Sequence, residues 1–325
     1  MIWLRRAIQL VVTVLLVTLL TFLLTSLLPG SPVYEICQGA GNACVKQVTA
    51  LDGLNKPFVV QYLLWLKHLL TGNLGYSYTE GASFGAQGVP IASLIKTAYP
   101  ITLEEIVFSQ VMALMVAVPL AMYAALRPNR LFDRLSTTVS FATLSVPTFI
   151  VAPLLVLIFA VTFHVFPGPA AQIPSLFSGQ FLTNLHTMFL PAAVLAIGSV
   201  AVYQRLLRAD MVATLEEDFI LMARAKGLTT ARILTRHALR PSTFTLMTVA
   251  GIQVGGLITG AVIVESVFQL NGLGLLLTHS VAQHDYPTIQ AITVIVAVAY
   301  IVINLLIDSL YLVIDPRIRR ARATS

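Results

Sequence analysis

Charge is scarce in this chain. Of its 325 residues only 10% are Asp, Glu, Lys or Arg, against 57% hydrophobic residues, whereas a soluble domain carries about 25% charged residues. So few charges cannot cover a water-facing surface, and lipid must solvate much of the chain. Other absences exclude whole classes of chemistry. No Gly-x-x-x-x-Gly-Lys-Ser/Thr run occurs, so the chain lacks the usual phosphate loop for ATP. No His-Glu-x-x-His occurs, and His68, His164, His186, His237, His279 and His284 show no metal-site spacing. The two cysteines, Cys37 and Cys44, do not make a zinc pattern. No nucleophile–base constellation supports an intramembrane hydrolase, and the chain reads as a non-enzyme that binds no cofactor or metal. No repeat of fixed period points to a solenoid or propeller, and no inverted repeat of the two halves points to a secondary transporter.

Long apolar runs are abundant. A membrane span needs about 20 mostly apolar residues, and six stretches reach that length: 7–28, 101–126, 135–164, 186–206, 242–266 and 287–314. Pro119, Pro147, Pro153 and Pro191 lie inside or at the ends of these, which neighbouring helices tolerate by satisfying the freed carbonyls. The first run follows a basic start, but it is too long for a cleaved signal and ends in Leu-Leu-Pro-Gly without an A-x-A site, so it reads as an uncleaved anchor. With the N-terminus in the cytoplasm, all fifteen arginines fall on the cytoplasmic side, while the other side holds only Lys46, Lys56, Lys67 and Lys96. This asymmetry predicts orientation, and an even number of spans returns the C-terminus to the cytoplasm.

Three segments outside these runs are long enough to matter: an external region 29–100, an external loop 165–185 and a cytoplasmic loop 207–241. The external region holds Cys37 and Cys44, which can pair as a small disulfide loop outside the cell or stay as free thiols. Further on, Pro57 starts and Gly72 closes a helix with Phe58, Tyr62, Trp65, Leu66 and Leu69 on one face. That face suits either the outer membrane surface or the external ends of the spans.

The cytoplasmic loop is the most specific part. Asp218 stands at an N-cap position, Arg224 and Lys226 occupy a last turn, and Gly227 stands where a left-handed C-cap residue is wanted. The charges complement the helix macrodipole at both ends. The spacing predicts a helix of about 8 residues, about 12 Å long, with Phe219, Leu221, Met222 and Leu228 offering apolar contacts to a partner. Thr229 or Thr230 caps a second helix, along which Arg232, Arg236 and Arg240 make a basic stripe before Pro241 opens the next span. A membrane anchor accounts for the stripe but has no need of a short helix with two defined ends.

The segment DFILMARAKGL…HALRP (218–241) resembles the EAA-type loop of ABC importer permeases, in the form carried by the oligopeptide, dipeptide and nickel family. LLTGNLGYSY (69–78), TLEE (102–105), LSVPTF (144–149), NGLG (271–274), DYPTIQ (285–290) and NLLIDSLYLVIDPRIRR (304–320) are similar to segments of that family in the same order. The match covers nearly the whole chain and is most like the oligopeptide permease B type. The resemblance implies an all-α fold of six transmembrane helices in the type I ABC importer arrangement. It divides the chain into a first transmembrane helix (1–28), an external region (29–100) and a permease core of five transmembrane helices (101–325). It implies that Asp218, Phe219, Leu221, Met222, Ala223, Arg224, Ala225, Gly227 and Leu228 form a coupling helix that docks on a cytoplasmic ATPase. Mg-ATP then belongs to two nucleotide-binding partners, a second homologous permease completes the pathway, and an external binding protein delivers the peptide. The same architecture also serves nickel, glutathione or other small solutes.

Polar residues inside spans are costly and usually face a cavity or a partner. Glu104 and Glu105 lie at the external start of the second span and Glu265 near the external end of the fifth. Asn304 and Asp308 share a face of the sixth. Gln253, Glu265 and Asn304 are the candidate pathway or gate residues. A structural hydrogen bond is the competing reading for Glu265, and pairing with the tail arginines for Asp308. Gly251 with Gly255, and Gly256 with Gly260, form small-xxx-small pairs that let helices approach closely.

Overall fold

The computed structural model describes residues 2–27, 56–77, 88–169, 173–174 and 179–314. The expected disulfide between Cys37 and Cys44 and the basic tail beyond Ile314 lie outside the described residues. In chain order the elements are α1 (Ile2–Ser26), α2 (Phe58–Leu70), β1 (Tyr76–Ser77), β2 (Val89–Pro90), α3 (Ile91–Leu126), α4 (Leu131–Ser145) and α5 (Thr148–Thr162). They continue as α6 (Phe181–Leu215), α7 (Asp218–Ala225), α8 (Thr230–Phe268), α9 (Leu273–Ala282) and α10 (Tyr286–Ile314). Among the described residues the fold is all-α apart from one two-stranded antiparallel ribbon.

Among the described residues the spans number four, or five with a bent pair, against the six expected. Four helices among the described residues, α3, α6, α8 and α10, are long and apolar enough to cross a membrane by themselves. The third expected stretch is broken: α4 and α5 meet at 102° and make a fifth span only if taken together. The break falls at Val146-Pro147. A proline disfavours helical backbone in the residue before it, and Val146 is extended, with φ −97° and ψ 119°. In α1, the first expected span, Leu10–Ser26 counts as a shorter apolar helix. The long helices also outrun the apolar windows: α6 has 35 residues and α8 has 39, because helical backbone continues past the lipid into polar flanks.

The fifth span and the second helix of the cytoplasmic loop are one helix rather than two elements divided at Pro241. Ahead of Pro241 the helix widens into π-helical turns over Ile233–Ala238. A proline removes one backbone donor and crowds the preceding turn, and the wider turn takes up that misfit. Arg232, Arg236 and Arg240 are all exposed along this helix.

The chain divides into two compact units: residues 1–101 with 271–302, and residues 102–270 with 303–325. In the first, α2 packs on α1. The Phe22 ring lies 5.3 to 5.7 Å from the rings of Phe58, Tyr62 and Trp65, and Thr18 Oγ1 shares a hydrogen bond with Tyr62 Oη at 3.0 Å. The aromatic face of α2 therefore covers a helix rather than lying bare on the membrane surface. The opposite face of α1, including Val12, Leu16, Leu20 and Leu24, is exposed and suits lipid. Gly72, at φ +78°, ends α2, and β1 pairs with β2, Ser77 opposite Val89. Ile91, Ile95 and Ala98 of α3 then pack with Leu273 of α9 and with Ala291 and Ile292 of α10.

The second unit is built on α3, α6 and α8. Ala113, Ala117, Ala121 and Ala125 recur every four residues on α3 and are all buried. This alanine stripe brings backbones close, which is how helices associate where lipid leaves little hydrophobic drive. Tyr203, Leu207 and Met211 of α6 and Leu246 and Ala250 of α8 complete the core. Polar clasps cross it: Tyr203 Oη donates to Gln110 Oε1 at 2.9 Å, and Gln110 Nε2 donates to the Ala250 carbonyl at 3.0 Å. Of the two expected glycine pairs, Gly260 is close to another helix, since a Cβ there would stand 2.9 Å from Leu195 Cδ2, while Gly256 faces open space.

Candidate functional site

The short helix α7 follows α6 after the two-residue link Glu216-Glu217. Its length is 8 residues. The N-cap position belongs to Glu217, with φ −71° and ψ 148°, and not to Asp218, which is the first helical residue. Neither acid makes a side-chain cap bond here. Instead the Glu217 carbonyl accepts from Ile220 N at 3.0 Å, and Asp218 contributes through the macrodipole, worth about 0.3–1 kcal/mol.

The C-terminal end is tightly specified. Gly227 takes φ +76°. Its N–H donates to the Arg224 carbonyl at 2.9 Å, and the Leu228 N–H donates to the Ala223 carbonyl at 3.3 Å. These are the two crossed bonds of a Schellman motif, which needs a left-handed residue between them. Thr229 then caps the start of α8, accepting from Arg232 N at 3.4 Å.

The two faces of α7 differ sharply. Ile220 and Ala223 are buried against Ile233, with Leu215 and Leu228 beside them. Burying Ile220 is worth about 1.5–3 kcal/mol, more than the charge terms, so this residue anchors α7. Ala223 and Leu228 thus belong to the inner face, and Leu228 does not offer the outward contact expected of it. Ile220, passed over in the sequence, pairs with Ala223 at a three-residue spacing, which is the signal that marks the inner face. The outer face carries Phe219 at 40%, Leu221 at 71% and Met222 at 59% exposure. Asp218, Arg224 and Ala225 are exposed as well. A rigid, apolar, outward face at a charged loop is suited to docking on another protein.

The helix is fixed to the unit through α6. Seven residues before Leu215, Arg208 Nε donates to Asp133 Oδ1 at 2.7 Å, and Nη2 donates to Oδ2 of the same carboxylate. Asn129 N also donates to that carboxylate at 2.7 Å. One turn earlier on α6, Gln204 Oε1 accepts from Ser140 Oγ at 3.0 Å. Arg205 lies over the Phe141 ring at 5.1 Å. Asp133, Ser136 and Ser140 line one face of α4, and the four-residue step from Gln204 to Arg208 places both on one face of α6. None of these was singled out in the sequence, although polar residues at helical spacing in an apolar stretch are the signal.

The candidate pathway residues do not form one cluster. Gln253 is half-buried and Glu265 fully buried, but they stand twelve residues apart on α8, about 18 Å along the axis. Thr102 Oγ1 donates to Glu265 Oε1 at 2.6 Å, the structural bond that competed with a gate. Glu104 accepts from Asn184 Nδ2, which also donates to the Pro174 carbonyl at 2.7 Å. Asn304 is half-buried on α10, and the Asp308 side chain lies outside the described residues.

The model of the family described as binding-protein-dependent transport system inner membrane component matches residues 117–320, and the model of its N-terminal part matches residues 1–105. The chain belongs to this family. The permease is 34% identical over 307 residues to the dipeptide transport system permease protein DppB of Bacillus subtilis, covering 94% of each chain. It is 35% identical over 316 residues to the oligopeptide transport system permease protein AppB of the same organism, covering 97% of this permease and 98% of that one. It is 32% identical to the oligopeptide transport system permease protein OppB of Haemophilus influenzae, with 97% and 98% covered. A solved amino acid ABC transporter with histidines overlaps 70% of the permease and 94% of its own chain, at 17% identity and a TM-score of 0.47, a likeness too loose to carry an argument.

Proposed function

We propose that this permease forms half of a translocation pathway for peptides, and that ATP hydrolysed by separate cytoplasmic subunits drives it. A second, related permease supplies the other half, an external binding protein delivers the peptide, and both termini face the cytoplasm. The chain itself catalyses no reaction. Its work is alternating access, with α7 as the contact that receives the ATPase stroke. The observation that carries this reading is the split character of α7: a Schellman-closed helix anchored inward by Ile220 while Phe219, Leu221 and Met222 stand exposed. Eight residues do not hold a helix in water on propensity alone, so the tertiary anchor and the closed end keep this face in shape for a partner. The relatives' printed names support peptides as the cargo.

The test is reconstitution with the two ATPase subunits, the second permease and the binding protein. Phe219→Ala and Met222→Ala remove exposed side chains, so both variants should insert and assemble with the second permease. ATPase subunits should copurify poorly, and hydrolysis should no longer respond to loaded binding protein. Normal peptide uptake with stimulated hydrolysis in both variants would refute the docking role.

A further inference from the structure

Acidic side chains are nearly missing from the middle of the chain. Asp133 is the only Asp or Glu between Glu105 and Asp210, and it is turned inward. It is buried, and its carboxylate accepts from Arg208 Nε and from Asn129 N, both at 2.7 Å. Three arginines at the turn from α3 to α4 therefore have no acid beside them. Arg127, Arg130 and Arg134 are all exposed. Among the described residues none of their guanidinium groups has a hydrogen bond or an ion pair. The backbone holds the three in one short stretch. Arg130 N donates to the Arg127 carbonyl at 3.3 Å, and Arg134 N donates to the Arg130 carbonyl at 3.0 Å. Asn129, at φ +63°, takes the left-handed backbone that leads the chain into α4.

The open side of the same turn is apolar. Leu131, Leu135 and Val139 recur every four residues and are all exposed, while Asp133, Ser136 and Ser140 take the side that meets α6. At 100° per residue, Arg130 and Arg134 fall on the flank between these two faces. Tyr123 of α3 and Phe132 of α4, both exposed, meet edge to face at 4.6 Å, and aromatic side chains of this kind collect at headgroup depth. We propose that Arg127, Arg130 and Arg134 hold the phosphate of one anionic phospholipid, whose acyl chains lie along Leu131, Leu135 and Val139. Guanidinium forks match phosphate oxygens in bidentate pairs. The lipid is net anionic, because a zwitterionic headgroup brings its own cation to a cluster that already carries three. A carboxylate surface on another protein would meet the arginines but leave the apolar row bare, and so would a soluble anion. A phospholipid covers both.

The experiment is native mass spectrometry of the delipidated full-length permease in detergent, titrated with phosphatidylglycerol or with phosphatidylcholine of the same acyl chains. The first phosphatidylglycerol should bind the wild type about tenfold or more tighter than the first phosphatidylcholine, since each arginine near an anionic headgroup is worth about fivefold. Arg130→Gln/Arg134→Gln should erase most of that preference. If this double variant does not fold, Arg130→Gln alone carries the comparison and should lose about fivefold. A wild type without the preference, or variants that keep it in full, overturns the proposal. Arg232→Gln/Arg236→Gln removes the same charge elsewhere and should leave the preference intact. An equal loss there would mean net charge rather than a site, and would also overturn it. Inorganic phosphate should not displace the bound lipid, and full displacement would make this a soluble-anion site instead. If Arg130→Gln/Arg134→Gln keeps the lipid preference but loses the ATPase subunits on copurification, the turn docks protein and not lipid.

Discussion

Ser77 Oγ donates to Asp285 Oδ2 at 2.6 Å across 208 residues of sequence. The same oxygen accepts from Thr288 Oγ1 at 2.7 Å, and the Asp285 carbonyl accepts from Ile289 N at 3.0 Å. Asp285 is therefore both the N-cap of α10 and the anchor of strand β1. Ser77, Asp285 and Thr288 are all buried, so the polar groups have no water to fall back on. The bond also joins two segments quoted for the family resemblance, 69–78 and 285–290, within one unit.

Asp285→Ala should lower stability by about 1–3 kcal/mol, because it uncaps a helix and leaves two buried hydroxyls without their acceptor. Asp285→Asn keeps an acceptor and should cost less. Ser77→Ala should be mild alone and nearly silent in the Asp285→Ala background. Thermal unfolding of the two single variants and the double variant gives the coupling, and strictly additive losses would mean the bond contributes nothing.

Gly227 sets a second expectation. A Cβ there would meet nothing within 4 Å, so substitution has no steric cost from neighbours. The cost is the backbone alone: φ +76° strains an L residue by about 1–2 kcal/mol. Gly227→Val should open the Schellman end and turn α7 away from Ile233 while the membrane helices stay folded. Gly227→Asn should be milder, since Asn tolerates this backbone region. Uptake and stimulated hydrolysis in reconstituted complexes should fall in the order glycine, asparagine, valine. Equal activity for all three would show that the geometry of this end is not used.

Gly256 and Gly260 test close packing against helix propensity. Replacing a helical glycine by alanine is worth up to about 1 kcal/mol in backbone terms. At Gly256, which faces open space, Gly256→Ala should be neutral or stabilising in the isolated chain. At Gly260 the new Cβ would meet Leu195 Cδ2 at 2.9 Å. The leucine end can rotate, so Gly260→Ala should roughly cancel, whereas Gly260→Leu should cost about 1–3 kcal/mol through overpacking. Leu195→Ala should recover part of the Gly260→Leu loss. The midpoint of thermal unfolding measures each, and a tolerated Gly260→Leu would place α6 and α8 farther apart than described.

Short-range features were legible because their causes lie within a few residues. The ends of α7 follow from Asp218, Arg224 and Gly227, and the cap of α8 from Thr229, since each bond spans fewer than six positions. The membrane class follows from charge content, which needs no geometry. Asp218 was misplaced by one residue because Glu216, Glu217 and Asp218 are three acids in a row, and only the backbone of Glu217 says which is extended.

Tertiary structure decided the rest. A membrane helix is apolar on every side, so no amphipathic stripe tells which face meets protein and which meets lipid. Composition alone therefore joined α4 to α5 across a 102° bend and could not choose between two places for α2 until Phe22 was set against Phe58, Tyr62 and Trp65. Ile220 and Leu221 are neighbours of equal hydrophobicity, yet one is 1% and the other 71% exposed, because only Ile220 faces Ile233. Ser77 with Asp285, and Thr102 with Glu265, are meetings of residues more than 150 positions apart, set by how helices stack. Local sequence determined where this chain makes helices and how the short one ends. Packing determined which side chains those helices bring together, because long-range contacts leave no period in the sequence.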